Sequence, residues 1–314
     1  MKSPTAGFPE KEARLAFWML VPAFSVVLAF VLFPVVWNLL LSFKPVTLTD
    51  LRGAPLLRLN LTVGNFQKVF SDPEFSSILT ITLLYTVLGS ALSVVMGLLA
   101  ALLVHGEFRG RGFLRGLFIS PYIAPVVAVT FTWSFILDPQ LGVLNWFAVN
   151  RGLLAQPIPF LSQRWFPVEI MGLRFSVPLA LVSVILFEGW RYFPFAFLFV
   201  LARLQSIPDE LYEAALVDGA SPTQRFRHIT LPQLVPVLST LFLFRFIWTI
   251  NKFDDIFLLT RGQAGTKVLT IKVYEYAFGE FDMGAGCAVA MVLFGILSIF
   301  LVIYFRWLVK EIEP

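Results

Sequence analysis

Glu213, Asp218 and His228 share one twenty-residue stretch, EAALVDGASPTQRFRHITLP, the most polar long interval of an otherwise mostly apolar chain. Further ionisable and polar residues are set in or at the edges of apolar runs on either side. Glu188 and Arg191 precede the stretch, and Arg245, Asn251, Lys252, Asp254 and Asp255 follow it. Covalent chemistry finds little to work with. The two histidines, His105 and His228, lie far apart in sequence, and the one cysteine, Cys287, sits in an apolar run. That leaves no zinc spacing, no intramolecular disulfide and no identifiable nucleophile–base set. No G-x(4)-G-K-[ST] occurs, so the chain cannot hold a nucleotide through a P-loop.

The charges inside apolar runs need an explanation, because an ionised residue at mid-membrane costs about 2.5–3.5 kcal/mol on insertion scales. Glu188 and Arg191 stand three apart and form one candidate pair. If the runs carrying Glu188 and Arg245 cross in opposite directions, those two lie at similar depth and form another. Structural pairing is one reading of these charges and substrate binding the other. Trp248, Asn251 and Asp254 recur at three-residue spacing. An aromatic face with an amide and a carboxylate suits a sugar: the ring stacks on C–H faces and the polar groups take hydroxyls. An interfacial aromatic belt with capping polar residues is the competing reading.

The elements that carry these residues are long and apolar. Of 314 residues, 58% are hydrophobic and 14% charged, against about 25% charged in soluble domains. With apolar runs longer than a buried helix needs, the expected class is an all-α, polytopic membrane protein. A net charge of +4, spread over loops, excludes a nucleic-acid footprint. Six spans are expected, at about 15–43, 75–104, 116–137, 175–201, 233–259 and 283–304. They are flanked by a polar segment, 1–14, and a short tail, 305–314. Pro22 and Pro34 are expected to bend the first. Gly89, Ser93, Gly97 and Ala101 line one face of the second and predict close helix packing. Six spans place both termini on one side, and the Lys/Arg distribution weakly favours the cytoplasm.

Within the polar interval the residues spell out a helical hairpin. Ser206-Ile207-Pro208-Asp209 has the form of a capping box, ELYEAALV continues as helix, and Gly219 can end it in the left-handed conformation. Ser221-Pro222-Thr223-Gln224 repeats the start signal, and Pro232 is expected to open the fifth span. Asp209, Glu210, Glu213 and Asp218 are expected to face Arg225, Arg227 and His228 across the turn. Local physics alone leaves open whether this is a solvated linker or a docking element.

The pattern E-A-A-x(3)-G-x(9)-I-x-L-P is met by Glu213, Ala214, Ala215, Gly219, Ile229, Leu231 and Pro232. This resembles the EAA loop, here 206–232, of permease subunits in binding-protein-dependent ABC importers. Trp190-Arg191 with Pro194, LQSIPDELYEAALVDGAS, and Phe253-Asp254 with LLTRGQAGT point to the carbohydrate branch and its maltose/glycerol-3-phosphate first-permease type. Many relatives read LT-x-GGP where this chain has Leu259-Thr260-Arg261-Gly262-Gln263-Ala264.

The resemblance implies a type I importer permease with a core over 75–304 and both termini cytoplasmic. It implies no cofactor on this chain, with ATP and Mg on an ATPase dimer. Further partners are a second permease in a heterodimer, an extracytoplasmic solute-binding protein, a sugar or polyol substrate, and the bilayer of a bacterial or archaeal cell (inner) membrane. Glu213 would make a polar contact with the ATPase, Gly219 would form the turn, and Ile229 and Leu231 would anchor the second helix, with Ala214, Ala215, Asp218 and Pro232 completing the coupling loop. The rivals are the same machine carrying a polyamine, phosphate or other small solute, and an autonomous ion-coupled transporter using the intramembrane acids.

Overall fold

A computed structural model describes residues 10–52, 60–170 and 172–307. The remainder of the expected N-terminal segment and tail lies outside them. The chain folds as two compact units, one within 1–72 and 273–292, the other 73–272 and 293–314.

In the first unit, α1 (Glu10–Val27) runs through a π turn at Leu28–Leu32 into α2 (Phe33–Ser42). α1 continues through Pro22 without a break, and before Pro34 the helix widens into this π turn. Proline at 34 lacks an N–H and crowds the carbonyl four residues back; a turn with one extra residue relieves that contact. A short helix, α3 (Gly64–Ser71), follows. Asn65 donates to the carbonyls of Ser42 and Lys44 at 2.9 and 2.7 Å, satisfying backbone acceptors where the first span ends. Lys68 of α3 pairs with Glu280 and Asp282 at 3.0 and 2.9 Å. Burial lowers the Lys68 pKa, the two carboxylates raise it, and the net direction is up.

The second unit begins with α4 (Phe75–His105), followed by α5 (Arg111–Ile123), α6 (Val126–Ile136) and α7 (Val143–Asn150). A hairpin of β1 (Phe166–Ile170) and β2 (Leu173–Val177) leads into α8 (Leu179–Gln205). Then come α9 (Asp209–Val217), α10 (Pro222–Arg225), α11 (Leu231–Ile250) and α12 (Asp254–Thr260); α13 (Leu269–Tyr274) and α14 (Met283–Trp307) each have residues in both units. Among the described residues, five helical segments are long and apolar enough to cross a membrane: 17–42, 75–105, 179–205, 222–250 and 283–306. The pair α5–α6, bent by 99°, supplies the sixth crossing if counted as one span.

Three expected boundaries change. The third span is broken at Ala124-Pro125, where Pro125 removes a helical donor and Ala124 turns extended. The fourth begins at Leu179 because Phe175–Val177 pairs in β2. The fifth ends at Ile250, not near 259.

The small-residue face of α4 packs against α8. A Cβ on Gly97 would stand 2.5 Å from Ala196 Cβ and 2.7 Å from Phe197 N, and one on Gly89 would stand 2.9 Å from Glu188 Cγ. Residue numbers rise together along this contact, so α4 and α8 run parallel. Where apolar side chains face lipid as readily as each other, close backbone approach supplies much of the packing energy. Gly97→Leu is therefore expected to destabilise the fold by about 2 kcal/mol or more. The check is thermal unfolding of the detergent-solubilised protein; an unchanged midpoint would refute this packing.

Candidate functional site

The polar interval folds as a projecting hairpin. α9 ends in a glycine turn of Schellman type. Gly219, at φ +75°, donates to Leu216 O at 3.0 Å, and Ala220 donates to Ala215 O at 2.8 Å. The second capping box is formed: Ser221 Oγ accepts from Gln224 N at 3.3 Å, and Gln224 Oε1 accepts from Ser221 N at 2.7 Å. The first is not. Ser206 caps the end of α8 by donating to Arg203 O at 2.8 Å, and α9 begins after Pro208. The expected charge pairing across the turn is also absent: among the described residues, no ion pair joins Asp209, Glu210, Glu213 or Asp218 to Arg225, Arg227 or His228.

Pro232 does not open a new helix. A π turn at Phe226–Thr230 precedes it, Leu231 N reaches back to Phe226 O, and the helix runs unbroken from Pro222 to Ile250. The extra residue accommodates Pro232 as the earlier π turn accommodates Pro34. The base of the hairpin is clamped. Arg203 donates to Gln233 O at 3.2 Å and to Gln233 Oε1 at 2.5 Å, and Tyr212 and Thr230 hydroxyls meet at 2.9 Å. Ile229 packs on the core beneath the hairpin, around Leu204 and Leu234. The outer face is open: Glu213, Ala214, Asp218 and Gly219 are exposed, and Ala215 is half-buried. Leu216 and Val217 are also exposed, Val217 at 89%. An apolar tip on a hydrophilic hairpin has the composition of a docking surface.

The intramembrane charges assemble into one buried network. Arg245 of α11 pairs with Glu188 of α8, and both are inaccessible. Arg245 also donates to Ser93 Oγ and Thr249 Oγ1, each at 3.1 Å. Thr249 and Tyr85 hydroxyls donate to Glu188 at 2.9 and 2.8 Å. The Arg245 guanidinium lies 4.4 Å from the Tyr192 ring centroid. Tyr192 OH donates to Asp255 at 2.8 Å and accepts from Lys252, while Lys252 and Asp255 pair at 3.3 Å. Among the described residues, Asp255 Oδ1 has no hydrogen-bond partner. Arg191 does not join Glu188. It donates to Pro121 O and Ala124 O at 3.2 and 3.1 Å, filling carbonyls freed by the α5–α6 break.

Trp248, Asn251 and Asp254 do not share a helical face. α11 ends at Ile250; Asn251 caps it, its amide donating to Ile247 O at 2.8 Å, and Asp254 starts α12. Trp248, 42% exposed, packs edge-on to Phe195 and stacked on Phe244, with ring centroids 4.9 and 5.8 Å apart. Tyr122 joins the same aromatic surface through Phe195. All three predicted residues reach the surface, and Trp248 does so within an aromatic wall built from α5, α8 and α11. Sequence reasoning assigned no role to Tyr85, Tyr192 or Thr249. The available signal was spacing: Glu188 and Tyr192, like Arg245 and Thr249, stand four apart and so share a helical face. The loop after α12 also departs from the family pattern. Ala264 adopts φ +53°, a conformation closed to the proline of LT-x-GGP.

Apolar spans, a clamped hydrophilic hairpin and a buried charge network define a polytopic helical membrane protein. The chain belongs to the family of binding-protein-dependent transport system inner membrane components, which matches residues 93–314. It is 37% identical over 286 residues to the inner membrane ABC transporter permease protein YcjO of Escherichia coli, covering 91% of each chain. It is 30% identical over 303 residues to the trehalose/maltose transport system permease protein MalF of Thermococcus litoralis, covering 96% of each. In fold it is similar to a chain of a bacterial alginate ABC transporter crystallised with an alginate pentasaccharide-bound periplasmic protein. There the TM-score is 0.78 at 22% identity, over 97% of both chains.

Removing one partner of the central pair leaves a buried charge uncompensated. Glu188→Gln and Arg245→Met are each expected to cost about 3–5 kcal/mol, and the double variant much less than the sum. A double-mutant cycle on unfolding in detergent micelles measures this; additive single effects would overturn the pairing.

Proposed function

We propose that this chain is one of two permease subunits, in a heterodimer, of an ATP-driven importer that moves a sugar or related polyol across a bacterial or archaeal cell membrane. In this reading a solute-binding protein delivers the solute on the outer side. A partner ATPase dimer holds ATP and Mg, and closes and opens against the 206–232 hairpin. The observation that carries the reading is the hairpin itself: exposed and partly apolar at its tip, locked at its base, and continuous with α11. The trehalose/maltose permease among its relatives supports a carbohydrate cargo. The same reading places both termini and the hairpin in the cytoplasm, where ATP is. Membership of this family displaces the ion-coupled alternative; buried Glu188 is engaged in holding α4, α8 and α11 together, and Asp255 is paired with Lys252 and Tyr192.

The residues divide the work as follows. Glu213, Ala214, Ala215 and Asp218, with Leu216 and Val217, meet the ATPase. Gly219 sets the turn. Ile229, Leu231 and Pro232 carry displacement into α11. On the translocation path, Trp248 offers a ring to the C–H faces of a sugar, while Asn251 and Asp254 offer polar groups at the α11–α12 break.

The decisive experiment is purification of the chain with its co-expressed partners, followed by a screen of solutes, with binding protein, for stimulation of ATP hydrolysis. Stimulation by an oligosaccharide is expected; uptake by the chain alone would overturn the reading. A Cβ on Gly219 meets nothing within 4 Å, so a substitution there acts through the backbone, at about 1–2 kcal/mol for a non-glycine residue at positive φ. Gly219→Val is expected to leave membrane insertion intact and abolish ATP-coupled uptake, and full transport by it would sink the hairpin's role. Trp248→Ala with Asn251→Ala is expected to cut uptake at least about tenfold, the scale of a lost stacking contact and a lost hydrogen bond together. Unchanged uptake would remove these residues from the path.

A further inference from the structure

At the end of α4 and α8 away from the hairpin, a cleft of about 340 Å³ opens between them. Leu84 and Leu181 line its apolar part, and Ser76, Ser77, Arg164 and Trp165 its polar part. Arg164 is set there by its surroundings. Its carbonyl accepts from Leu179 N at 3.1 Å and that of Gln163 from Ala180 N at 3.2 Å, tying the segment to the first turn of α8. Its side chain lies on Gly265, where a Cβ would stand 3.0 Å from both Cγ and Nε. The guanidinium is 5.8 Å from the Trp165 ring.

Two neighbouring basic residues have acidic partners: Lys267 pairs with Glu74 at 3.2 Å and Arg174 with Glu169 at 3.3 Å. Among the described residues, no carboxylate lies within 4.0 Å of Arg164. Ser76 and Ser77, both exposed, line the cleft from the first turn of α4. Below them the outer face of α4 is a band of exposed apolar side chains, Leu84, Leu88, Val95 and Leu99. A cationic, hydroxyl-bearing rim with a tryptophan, standing over an apolar band on a membrane helix, matches a ligand with an anionic head and a hydrocarbon tail.

We propose that this cleft binds one anionic phospholipid. The phosphate sits at Arg164 with the Ser76 and Ser77 hydroxyls, and an acyl chain runs along Leu84 and Leu88. The guanidinium gives the phosphate a forked donor, which an ammonium head group on a neutral lipid would offset. The site is independent of which solute the protein carries.

The test uses the full chain in its purified complex, delipidated in mild detergent and titrated with phosphatidylglycerol or phosphatidylcholine, with retained lipid counted by native mass spectrometry. Preferential retention of one phosphatidylglycerol is expected. Arg164→Gln should lower it about fivefold, the contribution of one arginine at an anionic membrane surface. Ser76→Ala with Ser77→Ala should lower it in the same direction, and provides a second route should the arginine variant misfold. Arg151→Gln, at an exposed arginine that does not line the cleft, should leave it unchanged. Equal retention of both lipids, undiminished retention in folded Arg164→Gln, or an equal loss in Arg151→Gln would overturn the proposal. Displacement of the lipid by millimolar inorganic phosphate would also overturn it, because the head group alone would then account for binding.

Discussion

Glu188 and Arg245 meet where no water reaches, and the arrangement of three helices depends on how completely each is satisfied. The carboxylate receives Tyr85 from α4, Thr249 from α11 and the guanidinium itself. The guanidinium also reaches Ser93 on α4 and lies against Tyr192 on α8. A buried ion pair is tolerable only when its remaining donors and acceptors find partners. That requirement fixes the rotation of each helix about its own axis, because a turned helix would leave a charge facing hydrocarbon. The glycine contacts of α4 then fix the distance. Polar groups specify register here, and small residues specify approach.

Two of these helices also carry the functional parts. α8 runs directly into the hairpin and α11 directly out of it, and the network ties the same two helices deeper along their length. Arg203 with Gln233, and Tyr212 with Thr230, close the junction at the hairpin's base. The hairpin is thus held from both arms by side chains that reach across, rather than by the backbone alone. The aromatic surface at Phe195, Phe244 and Trp248 stands on these helices as well, so aromatic wall and hairpin share one support.

Much of this was legible in the residues. Apolar run lengths located the spans, the small-residue face of α4 located its contact with α8, and Gly219 and Ser221–Gln224 located the hairpin's turn and second cap. The antiparallel depth argument identified Glu188 with Arg245. The failures share a cause: local signals were outvoted by neighbours distant in sequence. Arg191 sits three residues from Glu188 yet serves the carbonyls of Pro121 and Ala124, which no spacing rule connects to it. Ser206 had the form of an N-cap and instead closes the preceding helix. Trp248, Asn251 and Asp254 kept helical spacing in sequence, but the helix that would place them on one face stops at Ile250. Pro232 looked like a break, and a single π turn absorbed it.

That π turn has a mechanical meaning. Because the helix never breaks between Pro222 and Ile250, it is a rod of 29 residues, roughly 44 Å long at the usual rise per residue. Its exposed end and its aromatic end thus belong to one continuous helix, while the glycine turn at Gly219 joins the two arms of the hairpin. In the coupling role proposed for the hairpin, displacement of its second arm would reach α11 through helix rather than through a loop.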